Sequence, residues 1–203
     1  MRYTIRPMNG RRPVNRITRG IRRAGIVALA VLATAAAAPA AAAGVAFARP
    51  GLLTSIGQSA DVAIVKVRLN AQLKLGFEYK PTAQPPDLVG IKTLVVVLGF
   101  STKGLGAAGL DMASEMARTR ALLKAARARG VQVLAMHTGG AGRRGQTSDD
   151  LIKLVVPDAD CTIVVASGNR DRLFNQLAAG RHAPVIEVET AAAAGDAVKT
   201  VFK

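Results

Sequence analysis

The segment Thr93-Leu-Val-Val-Val-Leu-Gly-Phe100 constrains the fold more than any other stretch of the chain. It is an unbroken apolar run, rich in β-branched residues and without a charge. A strand with one wet face alternates apolar and polar residues, and this run does not. It therefore reads as a strand buried on both faces, which requires a sheet covered by helices above and below.

The rest of the chain from Pro50 onward repeats that arrangement on a smaller scale. Strands are expected at Leu52–Thr54, Leu75–Tyr79, Val131–Met136, Thr162–Ala166 and Val185–Val188. Between them lie helix-patterned stretches. Ser59 caps a helix running to about Leu73, with Val62, Val65 and Leu69 on one face. A second helix runs from Asp111 to Arg129 with Met112, Met116 and Leu123 inward, and Gly130 ends it. A third, capped by Ser148, ends before Pro157; others span Asp171–Ala179 and Ala191–Phe202. Single helices between strands imply right-handed crossovers and a parallel sheet. The sequence predicts a three-layer α/β/α Rossmann-like domain with a mostly parallel sheet, strand order near 2-1-3-4-5-6, over residues 49–203.

Residues 1–48 have a different character. Eight arginines fall between Arg2 and Arg23, with no lysine and no acidic residue, and residues 24–48 carry no charge. A basic n-region (1–23), an apolar h-region (24–45) and the small-x-small sequence Ala46-Phe47-Ala48 are the parts of a secretory signal peptide cut near 48/49. That reading places the protein in the periplasm or at the cell surface. The alternative is a retained membrane anchor, since about 20 apolar residues suffice to span a bilayer; the alanine-rich composition and the Ala-x-Ala site favour cleavage. Arg11-Arg12 is followed by Pro13-Val14-Asn15, a weak basis for a twin-arginine route. The only cysteine, Cys161, is far from the leader, which excludes a lipoprotein.

Without those eight arginines, 20 basic residues face 13 acidic ones, a net charge of +7 instead of +15. That balance suits an anionic partner without demanding one. Aromatic residues are 3% of the chain and no basic run is interleaved with them, so the stacking platforms of a nucleic-acid binder are missing. One cysteine forms no internal disulfide, and about 155 residues bury enough surface without one.

Parallel sheets bind ligands beyond the carboxyl ends of their strands, near the switch in strand order. There the sequence places loops that carry Gln58 and Ser59, then Lys103, Gly104 and Gly106, then Gly139, Gly140, Arg143 and Arg144, then Asn169. Glycines admit close backbone approach, helix N-termini carry positive partial charge, and Lys or Arg adds full charge. The expectation is one site for a small anionic ligand: a carboxylate, a phosphate or a nucleotide fragment. A rival reading is a hydrolase or transferase with His137 as base beside Ser55 or Ser101. A third is an interaction module that works through its surface. Gly104-Leu105-Gly106-Ala107-Ala108-Gly109 matches the dinucleotide fingerprint in letters, but it starts four residues after the strand and no acidic residue ends the next one. No cofactor is expected. With two histidines and no His-Cys-carboxylate grouping, neither is a metal.

These segments also carry a resemblance. Leu52-Leu53-Thr54-Ser55-x-Gly57-Gln58-Ser59-x-Asp61, Lys103-Gly104-Leu105-Gly106-Ala107-Ala108-Gly109, Gly139-Gly140-x-x-Arg143-Arg144-Gly145-x-x-Ser148-Asp149 and Gly168-Asn169-x-Asp171-x-Leu173-Phe174 resemble the motifs of an uncharacterised family of exported bacterial α/β proteins, a domain of unknown function. The resemblance covers nearly all of residues 50–203. It implies an exported Rossmann-like domain and supplies neither an activity nor catalytic residues.

Overall fold

A computed structural model describes residues 45–202; nearly all of the arginine-rich and apolar leader lies outside the described residues. Six parallel strands form one sheet: β1 (Gly51–Ile56), β2 (Glu78–Tyr79), β3 (Thr93–Leu98), β4 (Gln132–His137), β5 (Cys161–Val165) and β6 (Val185–Val188). Their order is 2-1-3-4-5-6, in agreement with the expected topology.

The run at Thr93 is the central strand, and its side chains supply both faces. Leu94, Val96 and Leu98 join a core under α3 (Met112–Ala128), α4 (Gln146–Val155) and α5 (Leu173–Ala178). Val95 and Val97 join the opposite core, under α1 (Asp61–Lys66) and α6 (Ala191–Val201). Every residue of β3 is buried. Each large apolar side chain buried this way contributes about 1.5–3 kcal/mol, which is why a continuous apolar strand needs helices on both sides. Phe47 and Phe202 close the second core at the amino ends of the strands, with rings stacked 5.5 Å apart.

Four local expectations are revised. The first helix is α-helical only to Lys66 and continues as a π-helical segment, Val67–Gln72. The segment after β3 is not a plain loop: Thr102–Ala107 forms a short helix, α2. The Ser101 hydroxyl accepts from the Gly104 amide at 3.1 Å and starts it. Gly109 stops it at φ 67°, and the Leu110 amide donates back to the Leu105 carbonyl at 2.9 Å. Ser148 is inside α4, which starts at Gly145 with φ 145°, a conformation reserved for glycine. The Ser148 hydroxyl instead accepts from the Phe100 amide at 3.2 Å and ties α4 to the end of β3. Finally, the inward stripe of α3 carries Glu115, Arg118, Thr119, Leu122, Leu123 and Ala126, while Met112 and Met116 are only partly buried.

Candidate functional site

The strand order reverses between β1 and β3, so the crevice expected to receive a ligand opens above their carboxyl ends. Here the chain's own backbone fills it. The Ser59 amide donates to the Gly99 carbonyl at 3.0 Å, and the Ser101 amide to the Gly57 carbonyl at 2.8 Å. Gln58 and Phe100 pair as an antiparallel bridge. Gly104 of α2 rests on the Gln58 carbonyl, closely enough that a Cβ there would overlap the oxygen.

Beneath this seal is a buried ion pair. Glu115 is 0% and Arg118 5% exposed. The Arg118 guanidinium meets the Glu115 carboxylate through Nε and Nη2, both at 2.8 Å. It also donates to the Ser55 carbonyl at 2.7 Å and the Ala83 carbonyl at 2.9 Å. Glu115 in turn accepts from the Gly57 amide at 2.7 Å and the Gln58 side chain at 3.2 Å. Burial works to raise the Glu115 carboxyl, but hydrogen bonds from Arg118 and Gly57 hold it below the ordinary glutamate value. The pair locks the end of β1 to α3 and to the loop after β2. Sequence reasoning missed it. The available signal was the spacing of Glu115 and Arg118 with Leu122 and Ala126, a polar pair set in an apolar stripe.

The edge above β4 and β5 is held by side chains instead. The Asp61 carboxylate accepts from the Ser59 hydroxyl at 2.9 Å and meets Arg143 Nε at 3.3 Å. Arg144 is the hub. It contacts Asp149 at 2.6 and 3.0 Å and Asp171 at 2.8 and 3.1 Å, and it donates to the Gly168 carbonyl. These bonds raise the Arg144 guanidinium, bring Asp171 down to about 2 and lower Asp149. Asn169, 1% exposed, is spent on local structure: its amide nitrogen donates to Asn175 and Glu187, and its oxygen accepts from the Phe174 amide. Gly140 has φ 58°, and its Cα faces the Ser167 hydroxyl.

His137 ends β4 and is 0% exposed. Its Nδ1 is 3.1 Å from the Leu98 carbonyl oxygen and its Nε2 3.2 Å from that of Gly140. Burial lowers its pKa, against the pull of those two carbonyls. Neither nitrogen presents a lone pair to a serine. Ser101 caps α2, and the Ser55 hydroxyl is buried without a partner. Among the described residues, no hydrogen bond links His137 with Ser55 or Ser101, and no group of three or more His, Cys, Asp or Glu side chains is placed to hold a metal ion. Cys161 is buried and free, its thiol pushed up to about 12 by burial.

The sequence-predicted ligand residues thus divide. Gln58, Ser59 and Gly104 form the seal. Gly139, Gly140, Arg143 and Arg144 share the loop after β4. Lys103 and Gly106 are exposed on α2. A pocket of about 190 Å³ opens between Phe100 and residues 142–148, so it includes both arginines and the first turn of α4 but not Lys103. A larger apolar groove of about 470 Å³ lies between α1 and α6, beside Ile64 and Val67.

Fold and edge together define a Rossmann-like parallel α/β domain with a sealed switch point and a small polar pocket one loop away. Residues 48–202 match the family described as a domain of unknown function (DUF6305), and the chain belongs to that family. No curated protein and no solved structure matches it.

Proposed function

We propose that this domain works outside the cytoplasm and binds a small anion, such as a carboxylate or phosphate, in the pocket at the start of α4. The carrying observation is the pocket itself, which joins a helix N-terminus to Arg143. Gly145 has no side chain to cap α4, and first-turn residues Gln146, Thr147 and Ser148 line the pocket, at the helix end whose dipole favours negative charge. Arg143 meets a single carboxylate and its side chain is 38% exposed. Arg144 is committed to two carboxylates and a carbonyl. Arg143 is therefore the residue that reaches a ligand, and Arg144 shapes the loop that carries it. A volume of about 190 Å³ suits a small anion and falls below the range of about 300 Å³ and more typical of drug-sized ligands.

Titration calorimetry with phosphate, sulfate and short carboxylates tests the reading. Arg143→Ala is expected to weaken binding roughly 10- to 150-fold, the loss of one charge-assisted hydrogen bond, with the melting temperature nearly unchanged. Absence of saturable binding by every anion rejects it. The enzymatic alternative needs His137 to reach Ser55 or Ser101, and neither residue bonds to it here. Support for export comes from the order of the leader: arginines, an uncharged alanine-rich stretch, then small residues. Fractionation of cells expressing the full chain tests that part, and purely cytoplasmic protein refutes it.

A further inference from the structure

The residues just before Arg49 are part of the folded domain. Phe47 is 1% exposed and belongs to the same core as Leu53, Val95 and Val201. Its amide donates to the Val201 carbonyl at 2.7 Å, and it pairs in parallel with Phe202. On one side, the Ala48 carbonyl accepts from the Thr93 hydroxyl at 2.7 Å. On the other, the Ala46 carbonyl accepts from the Gln132 side chain at 3.2 Å. Val45 packs against the same core. Three consecutive residues are thus bonded to β3, to β4 and to the end of α6.

A chain starting at Arg49 loses all of these bonds. Phe202 loses its stacking partner, and a space the size of a phenyl ring opens at the foot of the sheet. The small-x-small sequence at Ala46-Phe47-Ala48 would direct the cut to just that point, so local sequence and packing disagree. The uncharged segment upstream resolves the disagreement. Ala40-Ala41-Ala42-Ala43 follows Pro39 and satisfies the small-residue rule for a cut after Ala42 or Ala43.

Resting on the export reading, we infer that the leader is removed on the N-terminal side of Val45, within residues 40–45, and that Val45–Ala48 stays with the mature domain as the segment that closes its second core. Phe47 then acts as a structural residue and not as part of a recognition sequence that is discarded.

The test uses the full chain expressed in a Gram-negative host, with intact mass and N-terminal peptide analysis of the periplasmic protein. A first residue at or before Val45 is expected; a first residue at Arg49 overturns the inference. Two leaderless forms, beginning at Gly44 and at Arg49, are then compared by melting temperature. The longer form should melt on the order of 10 °C higher, and Phe47→Ala within it should remove most of that advantage, as expected for losing a buried phenylalanine in a domain of this size. Failure of the Arg49 form to fold supports the inference as well, whereas equal melting of the two forms overturns it even if export is correct. Cytoplasmic protein with an intact leader overturns the export reading and the processing site together.

Discussion

Above β1 and β3 the loop glycines bring backbone against backbone. Gly104 lets α2 settle on the Gln58 carbonyl, and amides of one loop donate to carbonyls of the other. Above β4 and β5, Gly168 rests against the backbone of Gly140, but Gly142 and Gly145 have nothing within 4 Å of where a Cβ would sit, and carboxylates and guanidinium groups tie the loops together. Backbone contact leaves no volume at the switch point. Beside the charged struts a small pocket remains between Phe100 and residues 142–148. Glycine content therefore does not identify a ligand site in this fold. What matters is whether the neighbouring loop comes close enough to use the space that the missing Cβ provides.

The sharpest way to break the comparison is at the ion pair under the seal. Glu115→Ala leaves the Arg118 guanidinium buried with its carboxylate gone and should destabilise the protein by about 3–5 kcal/mol in denaturant titration. By contrast, Arg143→Ala on the open side should change stability by less than about 0.5 kcal/mol. Similar losses for the two substitutions contradict the division into a rigid and an open half.

Within α2, two glycines should respond with opposite signs. Gly104→Ala drives a methyl group into the Gln58 carbonyl and should destabilise by about 1–3 kcal/mol. Gly106→Ala meets nothing within 4 Å and should stabilise by about 0.5–1 kcal/mol, since alanine restricts the unfolded chain. Urea midpoints decide both.

The open half should depend on pH through its struts. Asp171 is near 2 and Asp149 is lowered because both bond Arg144. Their folded values lie below the unfolded value of about 3.9. Their stabilising effect is therefore complete above about pH 4 and fades as the pH falls toward about 2. Arg144→Ala should cost about 1–2 kcal/mol near neutrality. The gap between wild type and variant should narrow as urea midpoints are measured at successively lower pH, and a gap independent of pH argues against the strut role. The tie between the halves can be cut as well: Ser148→Ala removes the acceptor of the Phe100 amide and should cost about 1 kcal/mol, read from the urea midpoint.

The architecture was legible because burial on both faces leaves a continuous apolar strand, and β3 is such a strand. The alternation of elements then restricted the topology to parallel, doubly wound orders, of which 2-1-3-4-5-6 is one. The helix hidden in Thr102–Ala107 was less legible, because its two glycines resemble loop residues and only the Ser101 cap and the Gly109 stop mark its ends. Of the site, the positions of Arg143 and Arg144 at the carboxyl edge were readable from spacing. Their partners were not: Asp61 and Asp171 are far along the chain, and nothing local announces which carboxylate a guanidinium will meet. The seal was unreadable for the same reason, since the approach of Gly104 to Gln58 depends on how two loops fold over one another.

The Glu115–Arg118 pair also bears on how this family can diverge. A lineage that replaces the glutamate first strands a cation in the interior, and one that replaces the arginine first strands an anion. Either intermediate gives up a large share of the roughly 5–15 kcal/mol that keeps an ordinary domain folded. The two positions are thus expected to vary as a unit, by rare double steps. Because the Gly57 amide, 58 positions earlier in the chain, bonds the same carboxylate, the turn after β1 shares that evolutionary inertia.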